Sequence, residues 1–129
     1  MRRICVVTTS RADWTRQQTV CEAIRERQDL ELQLIVAGTH TRSGFDSGVQ
    51  ERLGFPVTSW CNNFMGSENT AQMTRSMTTL ANYLISRFVV LKPDVVIAPV
   101  DRYETLGIAS VAALMNIPVA HIQGGEVTG

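Results

Sequence analysis

The chain of 129 residues carries no surplus of charge, with 12 Lys and Arg against 12 Asp and Glu. A broad, non-specific grip on nucleic acid or on an anionic membrane surface needs an excess of basic residues, so neither partner is expected. Cysteine is scarce. Cys5, Cys21 and Cys61 are odd in number and have no C-x-x-C spacing, which leaves no zinc site and reads as reduced thiols in a cytoplasmic protein. No apolar run approaches the roughly 20 residues that cross a bilayer. After the basic start Met1-Arg2-Arg3, the stretch Ile4-Cys5-Val6-Val7 is too short for a signal peptide. Two phosphate-binding signatures are missing. Without G-x-G-x-x-G the chain does not read as an NAD-type dinucleotide fold, and without G-x-x-x-x-G-K-[ST] a P-loop NTPase is excluded. Lysine is almost missing too: all basic residues but Lys92 are arginine, the better bidentate reader of phosphate.

What is present is globular composition, 44% hydrophobic and 19% charged. The length fits one domain, residues 1–129, able to bury roughly two thirds of its unfolded surface. Short apolar runs alternate with helical patterns throughout. Ile4-Cys5-Val6-Val7 reads as a buried strand, residues 14–27 as a helix with Val20, Ala23 and Ile24 on its apolar stripe, and residues 30–37 as a second strand. Residues 39–54 read as a glycine-bearing loop with a short helix over 46–53, and residues 56–60 as a short strand. The clearest helix carries Met73, Met77, Leu80, Ala81, Leu84, Ile85, Phe88 and Leu91 on one face, read as core. Asn69 with Gln72 signals its start and Pro93 its stop. A strand at 94–98, a helix at 103–115 and a strand at 119–122 complete the pattern.

This alternation predicts an α/β domain, Rossmann-like and three-layered, with a parallel sheet of about five strands. Ligands of such sheets sit beyond the carboxyl ends of the strands, so the segments to inspect are 9–15, 38–48, 99–104 and 123–129. Ser10-Arg11-Ala12-Asp13-Trp14-Thr15 runs into a helix N-terminus. There a phosphate is favoured by unpaired amides and by Arg11; the alternative is that Asp13 caps the helix and Arg11 is a solvated turn residue. Asp101-Arg102-Tyr103-Glu104 places two carboxylates and a guanidinium between strand and helix. Either they serve the helix end and pair with each other, or Asp101 is an acid/base residue and Arg102 grips a diphosphate. His40, in the second loop, is expected to face the cleft and donate to a phosphate or sugar hydroxyl, or else to be a surface residue. His121 reads as a satisfied core residue. Gly124-Gly125-Glu126 lets backbone approach a ligand closely and looks like an active-site loop rather than a natural terminus.

Taken in order, Ser10-Arg11-Ala12-Asp13-Trp14, Asp101-Arg102-Tyr103-Glu104 and His121-Ile122-Gln123-Gly124-Gly125-Glu126-Val127-Thr128-Gly129 resemble the N-terminal domain of hydrolysing UDP-N-acetylglucosamine 2-epimerases, along the whole chain. Where that family has glycine before the Asp-Arg pair, this chain has Val100. The resemblance implies the N-terminal half of a GT-B fold, with the second domain absent from this chain. It implies release of UDP and inversion at C2 to N-acetylmannosamine, feeding sialic acid-type sugars, with no cofactor and no metal. Arg11, Ala12, Thr15, Arg102 and His40 are then substrate-binding residues, and Asp101 and Glu126 the acid/base carboxylates. The implied partners are a UDP-sugar, the missing C-terminal domain and, for an uncovered cleft face, another copy of the chain. Two alternatives stay open: a catalytically silent nucleotide-sugar-binding module, and half of a GT-B glycosyltransferase.

Overall fold

The computed structural model describes residues 1–42, 47–99 and 101–125. In chain order the elements are β1 (Arg2–Thr8), α1 (Arg11–Glu26), β2 (Leu30–Val36), a 3-10 turn (Gly38–Thr41), α2 (Ser47–Leu53), β3 (Ser59–Trp60), α3 (Thr70–Leu91), β4 (Val95–Ala98), α4 (Tyr103–Leu114) and β5 (Val119–His121). The strands form one sheet in the order β3-β2-β1-β4-β5. Every pairing is parallel, with Ile4 of β1 opposite both Leu32 of β2 and Val95 of β4. The expected three-layer α/β architecture is what the chain adopts.

Alternation along the strands divides the core between the two faces. Cys5, Val7, Ile35, Ala37, Val96 and Ala98 pack with Leu80, Leu84 and Phe88 of α3 and Ile108 of α4. Their neighbours Val6, Leu34, Val36 and Ile97 pack on the opposite face with Trp14, Cys21 and Ile24 of α1 and Leu53 of α2. Both faces of the inner strands are therefore buried, which is why those strands read as continuous apolar runs.

The helix ends follow the chemistry of their flanks, with some departures from the sequence expectation. α1 begins at Arg11 rather than Trp14, because Ser10 is its cap and accepts the Asp13 amide at 3.2 Å. Asp13 is therefore an inward-turned first-turn residue, not the cap. Ala23 is exposed, and the buried stripe of α1 is Trp14, Gln17, Cys21 and Ile24, at spacings of three and four. Asn69 caps α3 as expected, and Lys92 ends it in the left-handed region (φ 49) just before Pro93. Ile85 is 47% exposed, off the buried line of α3. Met73 and Met77 are only half-buried and line a groove rather than the core. Gly107 brings α4 against α3: a methyl group there would lie 3.0 Å from Met77 Cγ. His121 is exposed on the edge strand β5, not a core residue, because β4 is its only neighbouring strand among those described. Among the described residues no helix is long and apolar enough to cross a membrane.

Candidate functional site

In this strand order the connections from β1 and β4 leave in opposite directions, so a crevice opens between their carboxyl ends. Two helix N-termini border it: α1 starts three residues beyond β1, and α4 follows the loop after β4. Orphan amides and aligned peptide dipoles make both ends favourable to an anion.

On the α1 side, Arg11, Ala12 and Thr15 are all exposed on the first turn. The Thr15 hydroxyl donates to the Ala12 carbonyl at 2.9 Å. Asp13 points the other way and is buried. It accepts the Thr9 amide at 2.9 Å and the hydroxyls of Thr8 and Thr9 at 2.5 Å each. Those bonds draw the turn back onto the end of β1 and leave Arg11 outside.

On the α4 side, Asp101 is exposed and Arg102 occupies the N-cap position with extended backbone (φ −129, ψ 153). The Thr105 hydroxyl closes the loop by donating to the Pro99 carbonyl at 3.1 Å. Glu104 is completely buried, and its Oε1 lies 3.2 Å from Arg102 Nη2. Burial pushes the Glu104 carboxyl above its ordinary range, and the adjacent Arg102 pulls it back. The two carboxylates of Asp101-Arg102-Tyr103-Glu104 thus have different tasks: one is paired inside, the other faces solvent.

His40 is not where its loop position suggested. It is buried, with Nε2 3.0 Å from the Thr8 hydroxyl. That hydroxyl gives its single proton to Asp13, so His40 Nε2 is the donor in their contact. Burial lowers the His40 pKa, against the opposing pull of Asp13. The structure therefore brings together Arg11, Ala12, Thr15, Asp101 and Arg102 around the crevice and places His40 beneath it. Glu126 and Val100 lie outside the described residues. Leading toward Glu126, the Arg16 guanidinium donates to the Gln123 side chain, tying the turn after β5 to α1. Gly124 is packed by the His121 ring, whose Nδ1 would lie 2.5 Å from an added methyl group. The closeness that the glycine permits here is to a side chain of the same chain.

Sequence reasoning singled out Glu104 only as a helix-end or pairing residue, placed Thr9 and Gly38 in segments to inspect without giving them a role, and missed Thr8 and Asn63; all four support the crevice from below. A carboxylate near the start of an otherwise apolar helix was the available signal. Among the described residues, no cluster of three or more His, Cys, Asp or Glu side chains is placed to hold a metal ion.

A wholly parallel sheet whose switch-point crevice is flanked by two helix N-termini and two arginines is a Rossmann-like domain of the kind that makes half of a GT-B fold. The chain belongs to the UDP-N-acetylglucosamine 2-epimerase family, whose sequence model matches residues 22–129. It is 35% identical over 128 residues to the GDP/UDP-N,N'-diacetylbacillosamine 2-epimerase (hydrolyzing) of Campylobacter jejuni, covering 98% of this chain and 33% of that one. It is 32% identical over 131 residues to the UDP-N-acetylglucosamine 2-epimerase of Neisseria meningitidis, covering 100% of this chain and 34% of the relative. The crystal structure of UDP-GlcNAc 2-epimerase from Neisseria meningitidis bound to UDP-GlcNAc shares the fold, with a TM-score of 0.79 and 17% identity over 98% of this chain and 33% of that chain. This chain thus spans about a third of the length of the relatives it matches.

Proposed function

We propose that residues 1–129 are the N-terminal Rossmann-like domain of a hydrolysing 2-epimerase that releases UDP from UDP-N-acetylglucosamine, or from a 2,4-diacetamido analogue, and inverts C2. With UDP-N-acetylglucosamine the product is N-acetylmannosamine, the precursor of sialic acid-type sugars. The observation that carries this reading is the juxtaposition of Arg11 and Asp101-Arg102 at the ends of adjacent strands in a member of this family. Arg11, Arg102 and the first turn of α1 at Ala12 and Thr15 take the diphosphate. His40 acts beneath that turn, through Thr8 and Asp13.

The C2 proton of the sugar is not acidic, so its removal is coupled to departure of UDP. A carboxylate takes the proton while the arginines stabilise charge growing on the leaving diphosphate. Water then adds at C1 of the unsaturated intermediate, and a proton is delivered to the opposite face of C2. Asp101 is one of the two carboxylates, since it faces solvent while Glu104 is engaged with Arg102. Glu126 is the second. The crevice is one wall of the catalytic cleft, and a second Rossmann-like domain supplies the other.

UDP release from UDP-N-acetylglucosamine by this chain, and by a form continued through a second domain, tests the reading. Turnover is expected only in the longer form, with free sugar as product. There Asp101→Asn lowers kcat by about 10²–10⁴-fold while UDP still binds. Sugar transfer to an acceptor would make the protein a glycosyltransferase, and a longer form without turnover would make it a binding module.

A further inference from the structure

We propose that Glu104 is a positioning residue: buried and immobilised, it fixes the Arg102 guanidinium in the crevice where the diphosphate of a nucleotide binds. The inference rests on the reading of that crevice as a UDP-sugar site and adds to it a residue that touches no substrate.

A carboxylate in the first turn of a helix is ordinarily explained by the helix dipole, but an exposed side chain serves that purpose. Glu104 is 0% exposed, and burying a carboxylate is unfavourable unless a specific partner compensates it. That partner is Arg102 Nη2, 3.2 Å from Oε1 and 3.4 Å from Oε2. Asp13, buried nearby, differs in being bonded to an amide and several hydroxyls. Asp13 is satisfied by its own turn, whereas the burial of Glu104 is offset in part by a guanidinium whose side chain remains 25% exposed.

The carboxylate also has a rigid backing. A methyl group at Gly38 would lie 2.7 Å from Glu104 Oε2 and 2.3 Å from the Thr9 carbonyl oxygen, so only glycine fits behind it. The Gly38 amide donates to Asn63 Oδ1 at 2.7 Å, and Asn63 Nδ2 donates to the Ser76 carbonyl at 2.7 Å. Segments following β1, β2 and β3, together with α3, therefore converge behind Glu104 and leave it no room to withdraw. On the outer side the Arg102 guanidinium lies 5.2 Å from the Tyr103 ring and borders a groove of about 340 Å³ with Met73, Met77 and Leu106. An arginine held this way presents its remaining donors in a fixed direction and loses less conformational freedom on meeting an anion.

The test compares dissociation constants of UDP and uridine for the 129-residue chain, followed by ligand-detected NMR. The ratio of the two isolates the contribution of the diphosphate. The unsubstituted chain is expected to prefer UDP, and Glu104→Gln to reduce that preference by about tenfold, with uridine binding unchanged. Arg102→Gln should reduce the preference by at least as much, and adding Glu104→Gln to Arg102→Gln should lower it no further. Preference for UDP that survives Glu104→Gln, or equal weakening of both ligands, overturns the positioning role while leaving the UDP-sugar reading intact. Absence of any preference in the unsubstituted chain overturns both. Should Glu104→Gln fail to fold, the nitrogen resonances of Arg102 in the unsubstituted chain still decide: separate Nη signals mark a restrained guanidinium, and averaged ones refute it.

Discussion

Asp13 reaches back from the first turn of α1 to hold Thr9 twice, accepting its amide at 2.9 Å and its hydroxyl at 2.5 Å. Through Thr8 the same carboxylate is linked to His40. Removing it leaves a buried amide and two buried hydroxyls short of an acceptor. Asp13→Ala should therefore destabilise the chain by about 3 kcal/mol, read from urea unfolding. Equal stability of variant and parent would show that these bonds are replaceable.

The buried titratable groups give opposite pH dependences. His40 binds a proton more weakly when folded than its ordinary value of 6.5 implies, so acidification below that value favours the unfolded chain. The melting temperature should fall as pH drops below about 6.5, and His40→Gln should flatten that slope. Glu104 binds its proton more strongly when folded, so stability decreases as pH rises from the ordinary carboxylate value of 4.5 through the raised one. Glu104→Gln should abolish that second slope. A difference in melting temperature between the parent and either variant that stays constant with pH would contradict the corresponding assignment.

Two glycines with positive φ separate strain from crowding. Gly54 (φ +78) has nothing within 4 Å of an added methyl group, whereas Gly38 (φ +62) would meet the Thr9 carbonyl oxygen at 2.3 Å. Gly54→Ala should destabilise by about 1 kcal/mol and Gly38→Ala by about 4 kcal/mol, compared by thermal unfolding. Similar losses at both positions would mean that backbone strain alone governs them.

Arg11 stands exposed beside the start of α1. Arg11→Ala should weaken UDP binding by about fivefold at low ionic strength, with the difference shrinking at 0.5 M salt because exposed charges are screened there. A loss that is independent of salt would assign Arg11 a structural rather than an electrostatic role.

The sheet was legible because inner parallel strands are apolar on both faces and their intervening helices carry turn-and-cap signals. Asn69, Gln72 and Pro93 marked α3 correctly. The α1 start was placed late because Asp13 looked like a cap; a carboxylate three residues into a helix and one at its cap look alike until the backbone shows which amide each accepts. Ala23 and Ile85 were read into apolar stripes that end up exposed, since small offsets in helical phase decide which edge of a stripe meets the sheet. At the site, Arg11, Asp101 and Arg102 were found because loops after parallel strands are where ligands go. His40 was misread as cleft-facing because burial there depends on a hydroxyl from β1, 32 residues earlier in the chain. Glu104 gave only half its meaning in sequence, since the glycine that confines it comes from the far end of β2.

The near-absence of lysine also has a practical consequence for orientation. The lone Lys92 sits at the carboxyl end of α3, immediately before β4, and is exposed; the α-amine of Met1 precedes β1. Both primary amines therefore lie at the edge of the sheet where its parallel strands begin. Amine coupling to a sensor surface or resin will attach the molecule by that edge and turn the arginine-lined crevice toward the bulk solution. An immobilised layer of this chain is thus oriented for capture of an anionic ligand without any engineered tag.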